Sequence, residues 1–471
     1  MDGGPACGSA ALGFDSASVQ ANPNDLLTAR FIVAAHGAQS VAVIYALSVD
    51  GGIGTTPSFA AIDGGQSLPV LGLYPQTGYE MQAIAIDGNG GLARSPVQRF
   101  TTQALPVPVT SNYTFDVTVN EPSAQPGYIV IDKVQVSAAL PQAAVIVDRT
   151  GRVAWYAPAE VAAPNGDFQK QPDGTYTISL YTSSDIPVFF PSVFEAVDDL
   201  SVPVRTWAVP DPDGGTDNHE LRVQSNGEAL VFGPSVRTFD MTAYDGGADG
   251  VLMGDKVYRL QVDGGIAFQW DFFDDFTPDD IDPLVSHTAP AVDAIHANSV
   301  EASLDGNYLI SSRHLSQVLK LNSQTGEVMW RLGGHRNQFT FVNDPIGTFS
   351  MQHYAREIAP NDILLFDDGD EHVPVVSRAA EYQLDFFPDG GPNTATMVWS
   401  YTPPALPDGG ASAVSFAMGS AQRLPNGDTL ISYGTLPRVD EVDAQGNLVW
   451  QMVDSEPSFG FYRALWIDSL Y

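Results

Sequence analysis

Ala294-Ile-His-Ala-Asn298, Leu304-Asp-Gly-Asn-Tyr-Leu-Ile-Ser-Ser-Arg313, Thr325-Gly-Glu-Val-Met-Trp-Arg-Leu-Gly-Gly334 and Met351-Gln-His-Tyr354 follow one another inside Val292–Glu357. Short apolar runs alternate here with Asp-Gly and Gly turns, which reads as strand, tight turn, strand. Two histidines, one asparagine and one arginine punctuate the pattern.

The same pattern recurs along the chain. Six of the seven tryptophans end one kind of strand: Trp155, Trp207, Trp270, Trp330, Trp399 and Trp450, at successive gaps of 52, 63, 60, 69 and 51 residues. Upstream of five of them stands a turn-and-strand element: Asp173-Gly-Thr-Tyr, Asn226-Gly-Glu-Ala, Asp305-Gly-Asn-Tyr, Asn361-Asp-Ile-Leu and Asn426-Gly-Asp-Thr. Asn-Gly and Asp-Gly supply the positive φ of a hairpin turn. Each unit is therefore a four-stranded blade, and six units predict a six-bladed β-propeller in an all-β chain. The tryptophans are expected to pack between blades. The unit ending at Trp155 lacks one strand at its start, and Tyr462-Arg-Ala-Leu-Trp-Ile467 is placed to fill it and close the ring.

Before the repeats, residues 14–105 carry short alternating runs bounded by Gly, Asn and Asp, the signature of a small β-sandwich. Leu73-Tyr-Pro-Gln-Thr-Gly-Tyr79, followed by an alternating strand, resembles the tyrosine corner of fibronectin type III domains. Residues 106–128 read as a Pro-bearing linker with a strand near Phe115–Val119, residues 129–471 as the propeller, and residues 1–13 as a disordered tail.

The net charge of −35 excludes nucleic acid, whose phosphates demand an excess of Lys and Arg. Only 21 Lys and Arg residues are present, so an arginine beside histidines stands out. An anionic substrate would need a locally positive pocket. No apolar run approaches the ~18 residues of a membrane helix. The start, Met1-Asp-Gly-Gly-Pro-Ala-Cys7, has neither basic head nor apolar stretch, so any export signal is absent from this chain. Cys7, the single cysteine, cannot form an internal disulfide. The Asp-Gly-Gly tripeptides at Asp50, Asp213, Asp245, Asp263 and Asp408 and the acidic run Asp271–Asp282 read as solvated loops.

His219, His296 and His353 precede Gly227, Gly306 and Asp362 by eight, ten and nine residues. They therefore fall at the entry of the innermost strand in consecutive blades, where they converge on one end of the central channel. Asn298 lies two residues beyond His296 and is expected on the same strand face. Arg313 ends the strand returning from the Asp305-Gly306 turn. Arg331 and Tyr433 are further substrate-binding candidates. By alternation His314 points away from Arg313, while His335 belongs to a loop that could cap the pocket.

Two chemistries suit this set. Three histidines can bind zinc. Alternatively, a neutral imidazole attacks phosphorus or sulfur, other histidines move protons, and Arg313 and Asn298 hold the non-bridging oxygens. A locally positive pocket in an acidic chain favours the second, with no metal and no cofactor. A non-catalytic binding propeller, or a metal- or quinone-dependent propeller enzyme, are the competing readings.

His296-Ala-Asn-Ser299, Asp305–Arg313, Gly326–Gly334, Gln352-His353, Phe366-Asp-Asp-Gly369 and Asp468-Ser-Leu-Tyr471 together resemble the bacterial arylsulfate sulfotransferases, across about residues 107–471. The resemblance implies sulfuryl transfer from a phenolic sulfate ester to a phenol, without the nucleotide donor PAPS, by a ping-pong route. By motif position it makes His353 the transiently sulfated nucleophile, with His219, His296, Asn298 and Arg313 around the sulfuryl group. It also implies export to the periplasm or beyond and a homodimer. The chain departs from the family's better-known members in lacking a disulfide. Blade 6, near Met418-Gly419, offers no polar side chain matching the histidines.

Overall fold

The computed structural model describes residues 11–48, 52–134, 143–158, 164–182, 191–210, 215–387, 391–404, 414–456 and 460–471. Cys7 and the Asp-Gly-Gly turns at Asp50, Asp213 and Asp408 lie outside the described residues.

Six sheets follow one another round a ring, each read from the centre outward. Blade 2 runs Pro164–Lys170, Tyr176–Tyr181, Ser192–Val197, Pro203–Trp207. Blade 3 runs Leu221–Val223, Ala229–Phe239, Gly250–Leu260, Ile266–Asp271, and blade 4 Ala297–Ala302, Tyr308–Ser312, Gln317–Leu321, Val328–Gly333. Blade 5 runs His353–Ala359, Asp362–Asp367, Arg378–Asp385, Asn393–Tyr401; blade 6 runs Ser420–Arg423, Thr429–Ser432, Arg438–Val442, Leu448–Asp454. Blade 1 is built from both ends of the chain: Tyr128–Val134, Ala143–Asp148 and Val153–Pro158 take Gly460–Ile467 as their innermost strand. The ring is a six-bladed β-propeller closed by its C-terminal strand, as the missing strand of the Trp155 unit required.

The turns explain the hairpins. Gly174, Gly227, Gly306 and Gly427 adopt φ between +79° and +94°. At Gly174, Gly306 and Gly427 an added Cβ would meet nothing within 4 Å, so conformation rather than crowding demands glycine there. In blade 5 the left-handed residue is Asn361, at φ +60°, one position before the Asp362 expected from the spacing.

Each repeat tryptophan sits on the fourth strand from the centre. Trp155 stacks on Phe168 and meets Tyr176, both in blade 2, and its indole N–H donates to Asp199 O. Trp450 donates to Arg149 O in blade 1, whose guanidinium covers its ring at 4.0 Å. The Arg423 guanidinium of blade 6 lies 5.0 Å from the Trp399 ring. These residues join neighbouring blades.

Two outer additions depart from the four-strand plan. Phe115–Asn120, expected only as a strand in the linker, pairs antiparallel with Leu448–Asp454 as a fifth strand of blade 6. Phe339–Val342 pairs parallel with Asn393–Tyr401 in blade 5. A short helix, Val107–Asn112, precedes the first of these.

The N-terminal residues form two antiparallel sheets, one around Ala29–His36 and one around Ser40–Leu47 and Gly78–Ile86, over a core containing Phe31, Val43 and Met81. Tyr79 OH accepts from Tyr74 N at 2.7 Å, closing a corner in the stretch quoted above. The unit is bolted to the propeller. Asp25 accepts from Leu27 N and Tyr156 N, Arg152 donates to Gly72 O, and the Tyr471 hydroxyl accepts from Leu71 N.

Candidate active site

The innermost strands of blades 3, 4 and 5 begin at Leu221, Ala297 and His353, so the three histidines of the repeat enter at one end of the channel. The His219 and His296 rings meet edge to face, 4.7 Å between centroids. With His353 and Arg313 they line a cavity of about 550 Å3, whose other walls include Asp217, Asp255, Asp293, Met253, Met418, Phe416 and Tyr462. That volume suits a small aromatic ligand.

Carboxylates, which the sequence reading did not find, hold every one of these rings. His219 Nδ1 lies 2.7 Å from Asp217 Oδ1, His296 Nδ1 2.6 Å from Asp293 Oδ2, and His353 Nδ1 2.6 Å from Asp368 Oδ2. Each carboxylate fixes a ring orientation and directs the imidazole's free edge elsewhere. Two of the three were legible as short spacings, Asp217-x-His219 and Asp293-x-x-His296. Asp368 stands fifteen residues beyond His353 and reaches it only because the two strands pair.

The three rings differ in charge preference. Burial opposes the charged form of His219, but the Asp217 carboxylate outweighs it and raises the pKa. At His296 burial wins over Asp293, with His314 and His219 adding repulsion, and the pKa falls to about 4. At His353 burial and the Arg313 charge push the pKa well below its ordinary value. The Met418 amide donates to His353 Nε2 at 3.3 Å. The ring proton therefore sits on Nδ1, toward Asp368, and Nε2 carries the lone pair. Burial pushes the Asp368 carboxyl well up, against Arg313. His353 is thus a neutral imidazole in the lining of the cavity, its Nε2 accepting from the Met418 amide.

Arg313 is held at three points. Nη1 is 2.7 Å from His314 Nε2; Nη2 contacts Asp370 Oδ2 at 3.2 Å and donates to Phe416 O at 2.8 Å. Its buried Nε–H has no partner among the described residues.

Not every candidate reaches the cavity. Asn298 is fully buried beneath it, donating to Gln352 O beside His353. The strand bulges between Ala297 and Ser299 and His296 takes φ +52°, so the two-residue alternation that put Asn298 beside His296 fails there. Arg331 lies on the outermost strand of blade 4, over the Phe276 ring at 4.7 Å. Tyr433 is buried, its hydroxyl donating to Asp440 at 3.0 Å. Neither lines the cavity. His335 lines a different one, beside Asp282 and Glu371. In the opposite direction, His314 is folded back onto Arg313 and its ring lies 4.5 Å from that of His296. Tyr462, read from sequence only as part of the closing strand, donates to His219 O and lines the cavity from blade 1.

Below the cavity the channel is filled by buried charge. Arg463 pairs with Asp167 at 2.7 Å and Glu220 at 3.0 Å, and Glu220 also pairs with Arg356. This network knits blades 1, 2, 3 and 5 at the axis.

Among the described residues one set of metal-capable groups, Asp293, His296 and His314, has ligand atoms within 4.8 Å of one another. The fit to a cation is poor. His296 Nδ1 is committed to Asp293, His314 Nδ1 to the Asp293 carbonyl, and His314 Nε2 to the positive Arg313. The arrangement instead offers a neutral imidazole, two further histidines of opposite charge preference and an arginine around one cavity.

No curated protein matches the chain. Among solved structures, a protein of unknown function from Bacteroides caccae is 14% identical with a TM-score of 0.43, covering 72% of this chain and 98% of that one. Virginiamycin B lyase from Staphylococcus aureus is 8% identical with a TM-score of 0.36, covering 72% and 88%. A protein from Lactobacillus plantarum is 11% identical, also at 0.36, covering 91% and 100%. Likeness at this level decides nothing about activity. The family model of the arylsulfotransferases (ASST) matches residues 203–455, from the last strand of blade 2 to the last strand of blade 6. Matched over more than half its length, and with the paired histidines and Arg313 inside the matched region, the chain belongs to the arylsulfotransferase family.

Proposed function

We propose that the protein transfers a sulfuryl group from a phenolic sulfate ester to a phenol in two displacements, through a sulfohistidine at His353. The observation that carries this reading is the state of His353: a buried ring that lines the cavity, its pKa well lowered, with Nδ1 on Asp368 and the Nε2 lone pair accepting only the long contact from the Met418 amide, which it gives up on attack. A neutral imidazole needs no deprotonation before it attacks.

In the first displacement Nε2 forms a bond to sulfur as the bond from sulfur to the phenolic oxygen breaks. The departing phenolate takes a proton from His219, whose raised pKa suits an acid. In the second, His296, held neutral, receives the proton of the incoming phenol, whose oxygen attacks sulfur as the S–N bond breaks. His353 returns neutral, and the proton passes between the adjoining His296 and His219 rings. The divergence of two titratable neighbours is what separates acid from base. Arg313 supplies fixed positive charge to the sulfuryl oxygens, and Asn298 supports His353 from beneath through Gln352. Met253, Met418 and Phe416 provide apolar walls for the aromatic rings.

The test is turnover of 4-nitrophenyl sulfate with a phenol acceptor. His353→Ala is expected to abolish transfer. Near wild-type turnover in that variant would remove His353 as nucleophile.

A further inference from the structure

His314 shows how the anion-binding arginine is aimed. Its Nδ1 lies 2.7 Å from the Asp293 backbone carbonyl, which can only accept. Nδ1 therefore carries the proton, and in the neutral ring the lone pair sits on Nε2. That nitrogen is 2.7 Å from Arg313 Nη1, which can only donate. Both contacts demand the same tautomer. The backbone fixes the ring in place: His314 N donates to Ile295 O, Arg313 N to His296 O, and Ser312 Oγ to Ile295 O at 2.6 Å. Asp293 also holds His296 through its side chain, so one continuous chain of contacts runs from Arg313 through His314 and Asp293 to His296.

We infer that His314 is a positioning residue for the transfer reaction: it grips one arm of the Arg313 guanidinium and holds it at the cavity wall in its anion-binding orientation. Asp370 and the Phe416 carbonyl hold the other arm, and the Nε–H has no partner among the described residues. With both arms fixed the arginine meets a sulfuryl group preorganised, whereas a long side chain held at one end must be ordered at each binding event. This inference rests on Arg313 being the group that binds the sulfuryl oxygens.

The experiment uses inorganic sulfate as probe and the full chain as wild type, Arg313→Ala, His314→Ala and His314→Gln. Isothermal titration gives the sulfate Kd, and turnover of 4-nitrophenyl sulfate gives kcat and KM. His314→Ala is expected to weaken sulfate binding by about tenfold, approaching Arg313→Ala, and to raise KM for the donor more than it lowers kcat. Glutamine can offer its Oε1 where Nε2 stood, so His314→Gln is expected to recover to within about threefold of wild type. A merely structural role would impair both variants alike and lower their unfolding midpoints together. The inference is overturned if His314→Ala binds sulfate like wild type while Arg313→Ala does not, if glutamine is no better than alanine, or if wild type binds no sulfate. Absence of turnover in the wild type, with the sulfate pattern intact, would instead sink the transfer reaction and leave His314 as the group that positions Arg313 for an anion.

Discussion

His353 Nδ1 lies 2.6 Å from Asp368 Oδ2, and both side chains are buried. The contact, with the Met418 amide donating to Nε2, selects one tautomer: the proton on Nδ1 and the lone pair on Nε2. Without the carboxylate the ring is free to turn and to carry its proton on Nε2. Asp368→Ala is expected to lower kcat for 4-nitrophenyl sulfate by on the order of 10²–10⁴, a range spanned by the loss of ring-orienting carboxylates elsewhere. A kcat within twofold of wild type would show that Asp368 does not prepare the nucleophile.

The raised pKa of His219 predicts an alkaline limb in the pH–rate profile. An acid must be protonated, so activity falls as pH rises through its pKa. The Asp217 carboxylate is what raises that pKa against burial. Asp217→Asn should therefore move the limb to lower pH. A limb that stays in place in the variant assigns the acid to another group.

His296 makes stability depend on pH with a definite sign. Its folded pKa, about 4, lies below the ~6.5 of an unfolded histidine, so between these values the unfolded chain binds a proton the folded one refuses. Stability contributed by this site is constant above ~6.5 and is lost as pH falls toward 4. The full effect would be about 3 kcal/mol, discounted because the side chain is 28% exposed to the cavity. The buried acids Asp255 and Asp368, with raised pKa values, act in the opposite sense. The comparison is therefore between wild type and His296→Gln in urea unfolding at pH 7.5 and pH 5. The variant should lose less stability on acidification, and an equal loss would place the His296 pKa near its ordinary value.

At the axis, Arg463 neutralises Asp167 and Glu220 and donates to Asn298 O. Removing one partner of a buried pair leaves uncompensated charge. Arg463→Met is expected to cost roughly 3–5 kcal/mol in urea unfolding, since methionine fills space but cannot meet either carboxylate. A loss under ~1 kcal/mol would mean that the channel charges are solvated rather than structural.

Much of this was legible in the sequence because the propeller repeats. The tryptophans and hairpin glycines act as rulers: His219, His296 and His353, measured from them, fall at equivalent places, and Arg313, after the returning strand, lines the same cavity. What the ruler missed came from local irregularity or from other strands. A bulge at Asn298 broke the alternation that placed it, and the turn that begins at Arg313 brought His314 back where alternation sent it away. Asp368 meets its histidine only through strand pairing, and Tyr462 arrives from the far end of the chain by ring closure. Arg331 and Tyr433 were plausible by residue type, yet each satisfies a neighbour within its own blade or the adjoining loop. Phe115–Asn120 was legible as a strand but not as part of blade 6, because its partner strand lies more than 300 residues away.

If His353 carries the sulfuryl group between donor and acceptor, it is found sulfated when the acceptor is withheld. The direct measurement is mass spectrometry of the protein incubated with 4-nitrophenyl sulfate and no acceptor, with digestion kept at alkaline pH to preserve an N–S bond. One SO3 addition is expected, on the peptide containing His353, discharged when a phenol is added. An unmodified protein that still releases 4-nitrophenol only when acceptor is present, or an adduct on any other residue, would contradict it.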